Sequence, residues 1–247
     1  MMWRSVARTI LQVIPDRTVV PVLSGPLRGA RWVKGSGNAS YWLGTYEAKK
    51  QKMFFRSLHE ADIVFDIGAH AGFYTLLASR AVGIRGKIVA FEPSPKNIEI
   101  LRRHVHLNQC GNVTIIGAAV TNTTGYAQFN EGENSFVGRI VNGGAAAVTI
   151  PTMSIDEGII QGTLPIPMVM KIDAEGEEEK ILRGARTTLM RYHPSLFLAL
   201  HNDENRLHCL TILRECGYHV ESIGDRGLDV TDEVFATLRP DSGSRHI

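Results

Sequence analysis

"IVFDIGAHAGFYTLLASRAVG", residues 63–83, decides the fold. It opens as an apolar, β-branched strand through Asp66 and bends through Gly68 and Gly72. It then continues as an amphipathic helix from about Phe73, with Phe73, Leu76, Leu77 and Ala81 on the buried face and Gly83 as its cap. Glycines permit the tight bend and a close backbone approach, and the N–H groups at the helix start face whatever ligand sits there. No Gly-Lys-Ser/Thr follows, which excludes a phosphate-binding P-loop. The order Gly68-Ala69-His70-Ala71-Gly72 also departs from the G-x-G-x-x-G of dinucleotide sites, because a bulky His70 stands where pyrophosphate needs bare backbone. The turn suits a ligand without phosphate.

The next strand and helix, "IVAFEPSPKNIEILRRHVHLN", place Glu92 at a strand end, 20 residues beyond Gly72. There a carboxylate can accept two ribose hydroxyls and disfavours the 2′-phosphate of NADP. Pro93 stops the strand, Ser94 is the expected N-cap with Pro95 at the first helical position, and Ile98, Leu101 and Val105 form the buried stripe.

Around this unit, apolar β-branched runs stand at "DIVFDI", "KIVAFE", "VTIIGAAV", "MVMKID" and "SLFLAL", most of them followed by a helical period. Such alternation predicts a doubly wound, mostly parallel α/β sheet covered on both faces, with ligands at the carboxyl ends of its strands. "GYAQFNEG" and "AAAVTIPT" read as an extra strand pair inserted before the fourth main strand, and "GYHVESIG" as a late antiparallel edge. Residues 1–60, with a helix, a Gly-rich hairpin and a mixed helical stretch, are expected to form an appendage, a substrate cap or an oligomer contact, ahead of the main domain at 61–247.

A formal net charge of +2 without a Lys/Arg run argues against a nucleic-acid partner. Cys110, Cys209 and Cys216 lack CxxC or zinc spacing and suit a reducing, cytoplasmic setting, so the Asn-x-Ser/Thr triplets at Asn38, Asn112 and Asn122 carry no weight. No apolar run approaches the ~18 residues of a membrane span. The start, "MMWRSVARTILQVIP", reads as an amphipathic helix with Trp3, Val6, Ala7, Ile10, Leu11 and Ile14 on one face rather than as a signal peptide. It is expected to dock on the protein or on a partner, with peripheral membrane contact the alternative.

"FDIGAHAGFYTLLAS", "AFEPSPKNIEILRRHVHLN" and "VMKIDAEGEEEKILRGA", in this order, resemble the FkbM family of S-adenosylmethionine (SAM)-dependent methyltransferases. The resemblance runs from about Gly44 to Asn202 and includes the upstream "GTYE". Its third block, K-I-D-x-E-G-x-E followed by L-x-G-A, is not a general feature of nucleotide-binding sheets. The resemblance implies a seven-stranded class I methyltransferase sheet and SAM as cofactor. It also implies Glu47, Asp66, Gly68, His70, Gly72, Glu92, Ala118 and Asp173 as the residues around SAM. His70 departs from the Asn more often found there. Family members methylate varied hydroxyls on polyketides, sugars and lipids, so the resemblance names the reaction, O-methylation of a small molecule, better than the acceptor.

Such a reaction needs acceptor oxygen, methyl carbon and sulfur in line, and a base for the hydroxyl proton. The ends of the fourth and fifth strands lie near the switch point, which places Asp173 and His201 toward the methyl group as catalytic candidates. Asp173 has a rival reading as the cap of the helix that begins near Gly176, and His201 as a hydrogen-bonded strand end. Glu177 and Glu179 read as a solvated face, while Glu178 and Lys171 fit the family pattern without an evident chemical task. A metal-dependent, catechol-type reading would use Asp173, His201, Asn202 and Asp203, but His suits Mg²⁺ poorly and the reading preferred here has no metal. An NAD-dependent oxidoreductase and a non-catalytic binding domain are the alternatives of other classes. The first 60 residues and the insertion at 130–144, with Asn134, Ser135 and Arg139, are expected to border the acceptor pocket.

Overall fold

The computed structural model describes residues 14–131, 138–141 and 147–238. The expected N-terminal helix, apart from Ile14, lies outside these residues, as do Asn134 and Ser135. The chain begins with an antiparallel hairpin, β1 (Val19–Pro21) and β2 (Arg31–Val33), followed by the short helix α1 (Ser40–Leu43) and by α2 (Ala48–Ser57). Alternation then sets in: β3 (Ile63–Ile67), α3 (Phe73–Val82), β4 (Lys87–Phe91), α4 (Pro95–Leu107) and β5 (Val113–Ile116). Four strands of a separate small sheet come next, β6 (Ala119–Val120), β7 (Gly125–Asn130), β8 (Arg139–Val141) and β9 (Val148–Met153), and then α5 (Ile155–Ile160). The main sheet resumes with β10 (Val169–Ile172), α6 (Glu178–Gly184), α7 (Arg186–Tyr192), β11 (Ser195–Ala199), α8 (Asp203–Glu215), β12 (Tyr218–Ser222) and β13 (Glu233–Leu238).

The main sheet has the order β12-β13-β11-β10-β3-β4-β5. Its central strands β11, β10, β3, β4 and β5 are parallel, and β13 runs antiparallel to both of its neighbours. Side-chain alternation sends Phe65, Val89, Met170 and Leu196 to one core and Val64, Ile88, Val169 and Phe197 to the other. The first core is closed by residues of α6, α7 and α8, such as Ile181, Leu189 and Leu213. The second is closed by α3 and by the N-terminal segment, whose Trp32, Trp42 and Phe54 pack with Leu77. At ~1.5–3 kcal/mol for each fully buried large apolar side chain, residues 14–60 are held against the sheet by several such anchors.

Three sequence expectations change. "VTIIGAAV" is not one strand: it breaks at Gly117, with β5 in the main sheet and β6 pairing parallel to β9 in the small one. The predicted inserted pair, β7 and β9, is antiparallel but gains β8 and β6 as partners. Tyr218–Ser222 is an edge, but the strand that opposes the sheet direction is β13, which lies between β12 and β11.

The opening turn forms as read. Gly68 and Gly72 have φ of 76° and 92°, α3 buries Phe73, Leu76 and Leu77 with Ala81 half-buried, and Gly83 is its C-cap. Ser94 caps α4 by accepting from the Asn97 N–H, and Pro95 begins the helix. On α4, Leu101 is buried while Ile98 and Val105 are only half-buried, and fully buried His104 completes the stripe. The Val33 N–H donates to His104 Nε2 at 2.9 Å, and His104 Nδ1 donates to the Ala71 carbonyl at 2.7 Å. His104 therefore ties the hairpin to the glycine turn, stacked on Trp32 with ring centroids 3.9 Å apart. Burial pushes its pKa down to about 4, consistent with a neutral ring that both donates and accepts.

Candidate active site

The carboxyl ends of β3, β4 and β10 open into a cleft of about 850 Å³, its solvent-open mouth included. Gly68, His70 and Glu92 line one side, with Ala118 just beyond β5. Asp173, Glu175 and Glu177 line the end of β10 and the loop after it. Tyr41 and Tyr46 from the N-terminal segment, and Phe129 and Ile140 from the small sheet, form facing walls. Described residues of both regions expected to border an acceptor pocket, Tyr41 and Tyr46 of the first and Glu131, Gly138 and Ile140 of the second, line this cleft. The helix-side loop differs from expectation, because Glu177 faces the cleft although it also pairs with Lys180.

Glu92 is held rigidly. Its two oxygens accept from the backbone N–H groups of His70 at 2.7 Å and Ser94 at 2.9 Å, with Asn97 Nδ2 at 3.3 Å. Burial nevertheless raises its pKa above the usual carboxylate value, against the pull of those donors. His70 reaches Glu92 through its amide, from a left-handed backbone with φ 48°. Asn adopts that conformation readily and His more readily than most residues, which accounts for the exchange at this position.

The glycines serve the turn in a way the sequence did not reveal. A Cβ on Gly68 would lie 1.9 Å from the Asp173 carbonyl oxygen, and one on Gly72 would lie 2.4 Å from Leu101 Cδ1. Both are bare because the turn packs against β10 and α4. Of the residues implied around the cofactor, Gly68, His70, Glu92, Ala118 and Asp173 line the cleft. Asp66, Gly72 and Glu47 stand behind it. Asp66 is fully buried, accepts from Thr75 Oγ1 at 2.6 Å and lies 3.5 Å from Lys171 Nζ. Glu47 accepts from the Tyr74 hydroxyl at 2.6 Å and pairs with Lys50 at 3.2 Å.

Two buried lysines support these carboxylates from below. Lys171 Nζ lies 3.4 Å from Asp173 Oδ2 and donates to the Gly68 carbonyl at 3.1 Å. Lys50, on α2, pairs with Glu47 and with Glu233 of β13. Burial alone would lower the Lys171 pKa, but Asp173 and Asp66 outweigh it and raise it. Burial likewise works to raise the Asp173 pKa, yet Lys171, Lys50 and His201 outweigh it and hold that carboxyl well below the usual range. Asp173 is therefore a permanent anion beside the cleft. It does not cap a helix: α6 starts at Glu178, with Glu177 at the N-cap and no side-chain cap.

His201 follows β11 and meets Asp173 at the cleft. Its Nε2 lies 3.5 Å from Asp173 Oδ1 and 3.7 Å from Glu175 Oε2, while Nδ1 lies 2.8 Å from Glu178 Oε1. Glu178 is fully buried and also accepts from the Ala174 and Gly176 N–H groups and from Asn205 Nδ2. Burial works to lower the His201 pKa, but the Glu178 hydrogen bond and the charges of Glu178, Asp173 and Glu175 raise it overall. Asn202 and Asp203, two residues of the metal reading, are used elsewhere: Asn202 caps α8 and Asp203 pairs with Arg206. Among the described residues, the set that could hold a cation is Asp173, Glu175 and His201, whose ligand atoms lie within 4.8 Å of one another.

Sequence reasoning missed Lys50, Glu233, Tyr41, Tyr46 and the task of Glu178. A signal for Lys50 existed, since Glu47, Lys50 and Phe54 fall on one helical face and a lysine on a buried face needs partners.

Over residues 66–220, well over half of its length, the chain matches the methyltransferase FkbM domain. The chain belongs to the FkbM methyltransferase family. Hexuronic acid methyltransferase AglP of Haloferax volcanii is 25% identical over 138 residues, 56% of this chain and 56% of that protein. The match thus spans little more than half of this relative. Methyltransferase FkbM from Methylobacillus flagellatus KT superimposes with a TM-score of 0.54 at 19% identity, covering 81% of this chain and 55% of that one. Cofactor-bound Rv0187 from MTB gives 0.51 at 16% identity, covering 77% and 79%. At these identities the likeness shows the fold, a class I methyltransferase sheet. Among the described residues no helix is long and apolar enough to cross a membrane.

Proposed function

We propose that this FkbM methyltransferase uses SAM to methylate a hydroxyl of a small, sugar-containing molecule, with His201 as general base. The residues of the cleft fit SAM. Glu92, fixed by two backbone donors, would hold the ribose hydroxyls, and the cleft's carboxylates suit a sulfonium cation. The order Gly68-Ala69-His70-Ala71-Gly72, which departs from the G-x-G-x-x-G of dinucleotide sites, disfavours the pyrophosphate of NAD. When bound, SAM supplies a methyl carbon to which the acceptor oxygen bonds as the carbon–sulfur bond breaks and sulfur keeps its electron pair.

The protein's part is orientation and proton removal. Glu178 accepts a hydrogen bond from Nδ1–H, which keeps that proton on Nδ1 and leaves the Nε2 lone pair to receive the acceptor proton as the oxygen attacks. Asp173, kept ionised by Lys171, stabilises the imidazolium that results. Tyr41 and Tyr46 wall the cleft, which supports residues 1–60 as a substrate-side cap rather than an oligomer contact. The Glu178–His201 hydrogen bond carries this reading. A sugar acceptor is supported by the hexuronic acid methyltransferase among its relatives, and a reducing, cytoplasmic setting by the three free thiols. The test is methyl transfer from labelled SAM to a panel of hydroxylated glycosides, followed by product mass, in wild type and His201→Ala. Transfer undiminished in His201→Ala would remove the base from the account.

A second reading has an observation of its own, the clustering of Asp173, Glu175 and His201. In it a divalent cation replaces the base. Lys171 already places a fixed cation 3.4 Å from Asp173, which weighs against a second one there. Exhaustive chelation separates the two: activity retained in chelator supports the base, and activity lost and restored by Mg²⁺ supports the metal.

A further inference from the structure

We propose that Asn205 is the positioning residue that decides which nitrogen of His201 carries the proton, and so keeps the nitrogen facing the cleft able to accept one. This rests on the general-base reading above, and it follows from how finely the ring is balanced. Nδ1 has the Glu178 carboxylate at 2.8 Å, whereas Nε2 has Asp173 at 3.5 Å and Glu175 at 3.7 Å. Carboxylates thus stand at both ends of the imidazole, and a neutral ring turns its one N–H toward the acceptor within hydrogen-bond reach. A small retreat of Glu178 would hand that proton to Nε2 and turn the base into a donor.

Asn205 braces Glu178 against that retreat. It is buried in the first turn of α8, where its backbone N–H donates to the capping Asn202 Oδ1 at 2.8 Å. Its Nδ2 donates to Glu178 Oε2 and to the Gly176 carbonyl, each at 2.8 Å, while Oδ1 accepts from the Cys209 thiol at 2.9 Å. Both amide hydrogens meet acceptors and the amide oxygen meets a donor, so the side chain has one orientation. A carboxylate in its place would face two acceptors. Helix α8 begins just after His201, and α6 begins with Glu178. This one side chain therefore fixes the spacing between the loops that carry the base and its partner. Together with the Ala174 and Gly176 N–H groups and His201, it fills the hydrogen-bonding capacity of the Glu178 carboxylate. Helix propensity gives no reason for an Asn here, and the brace does.

The experiment reads the ring nitrogens of His201 by nitrogen-15 NMR in the full chain, in chelator and at an alkaline pH where the ring is neutral. In wild type the Nδ1–H form should exceed the Nε2–H form by at least ~10-fold, the bias that a hydrogen bond to a charged acceptor supplies. In Asn205→Ala, checked for folding by thermal melting, the ratio should fall to ~3-fold or less while S-adenosylhomocysteine affinity by calorimetry stays within about twofold of wild type. An unchanged ratio in folded Asn205→Ala overturns the proposal. So does loss of S-adenosylhomocysteine binding, which would make Asn205 a support of the whole cleft and not of the base. Should the variant not fold, the wild-type protein decides. Both Asn205 Nδ2 protons should then exchange with solvent at least ~10-fold more slowly than those of the exposed Asn122, and equal rates overturn the brace. A wild-type ring that carries its proton on Nε2 overturns instead the general-base reading on which the proposal rests.

Discussion

The fully buried carboxylate of Glu178 lies 2.8 Å from His201 Nδ1, so the ring nitrogen that faces Asp173 and the cleft is Nε2. Sequence spacing left Glu178 without a task. The structure gives it two, orienting an imidazole and fixing the loop at 174–176 through backbone donors.

If His201 removes the acceptor proton, His201→Ala lowers kcat by ~10²- to 10⁴-fold with SAM affinity nearly intact. The carboxylates around it raise its pKa, so kcat/KM climbs with pH as the ring deprotonates above its ordinary value. Glu178→Gln removes one of those charges and should move this limb to lower pH. A limb that stays in place in a folded Glu178→Gln variant argues against the pairing.

Gly68→Ala should unfold the protein more readily whether or not cofactor is present. Its Cβ would meet the Asp173 carbonyl at 1.9 Å, and φ 76° already disfavours any side chain. The expected loss exceeds ~2 kcal/mol in denaturant titrations. Wild-type stability combined with lost cofactor binding would restore the simpler view that this glycine only clears room for the ligand.

His104 makes stability depend on pH. Its folded-state pKa of about 4 lies below the ordinary 6.5, so the unfolded chain binds the proton first as pH falls. The stability of the neutral ring is present above pH ~6.5 and is lost progressively toward pH 4, up to ~3 kcal/mol. His104→Gln can keep a donor for Ala71 and an acceptor for Val33 but does not titrate. Its stability should fall less steeply over this range than that of wild type, and parallel curves would contradict the assignment.

What was legible in the sequence was local. The strand–glycine–helix turn, the Ser94 cap and the position of Glu92 all follow from short spacings, and each forms as read. Contacts made across long stretches of chain were not legible. Lys50 meets Glu233 across 183 positions and Glu178 meets His201 across 23, and no periodicity announces either pair. Strand β13 escaped because it buries only Val234 and Ala236, a weak apolar signal after a turn-rich segment. Gly117 split a run of apolar residues that composition alone joins.

The central claim is that the cleft holds SAM with Glu92 on its ribose. Isothermal calorimetry with SAM, S-adenosylhomocysteine and NAD, on wild type and Glu92→Ala, tests it most directly. One saturable site for SAM and its demethylated product is predicted, with no site for NAD. Loss of ~1.5–3 kcal/mol of SAM affinity in Glu92→Ala is also predicted, the range for hydrogen bonds to a charged group. Binding of NAD without SAM, or SAM affinity unchanged by Glu92→Ala, would contradict it.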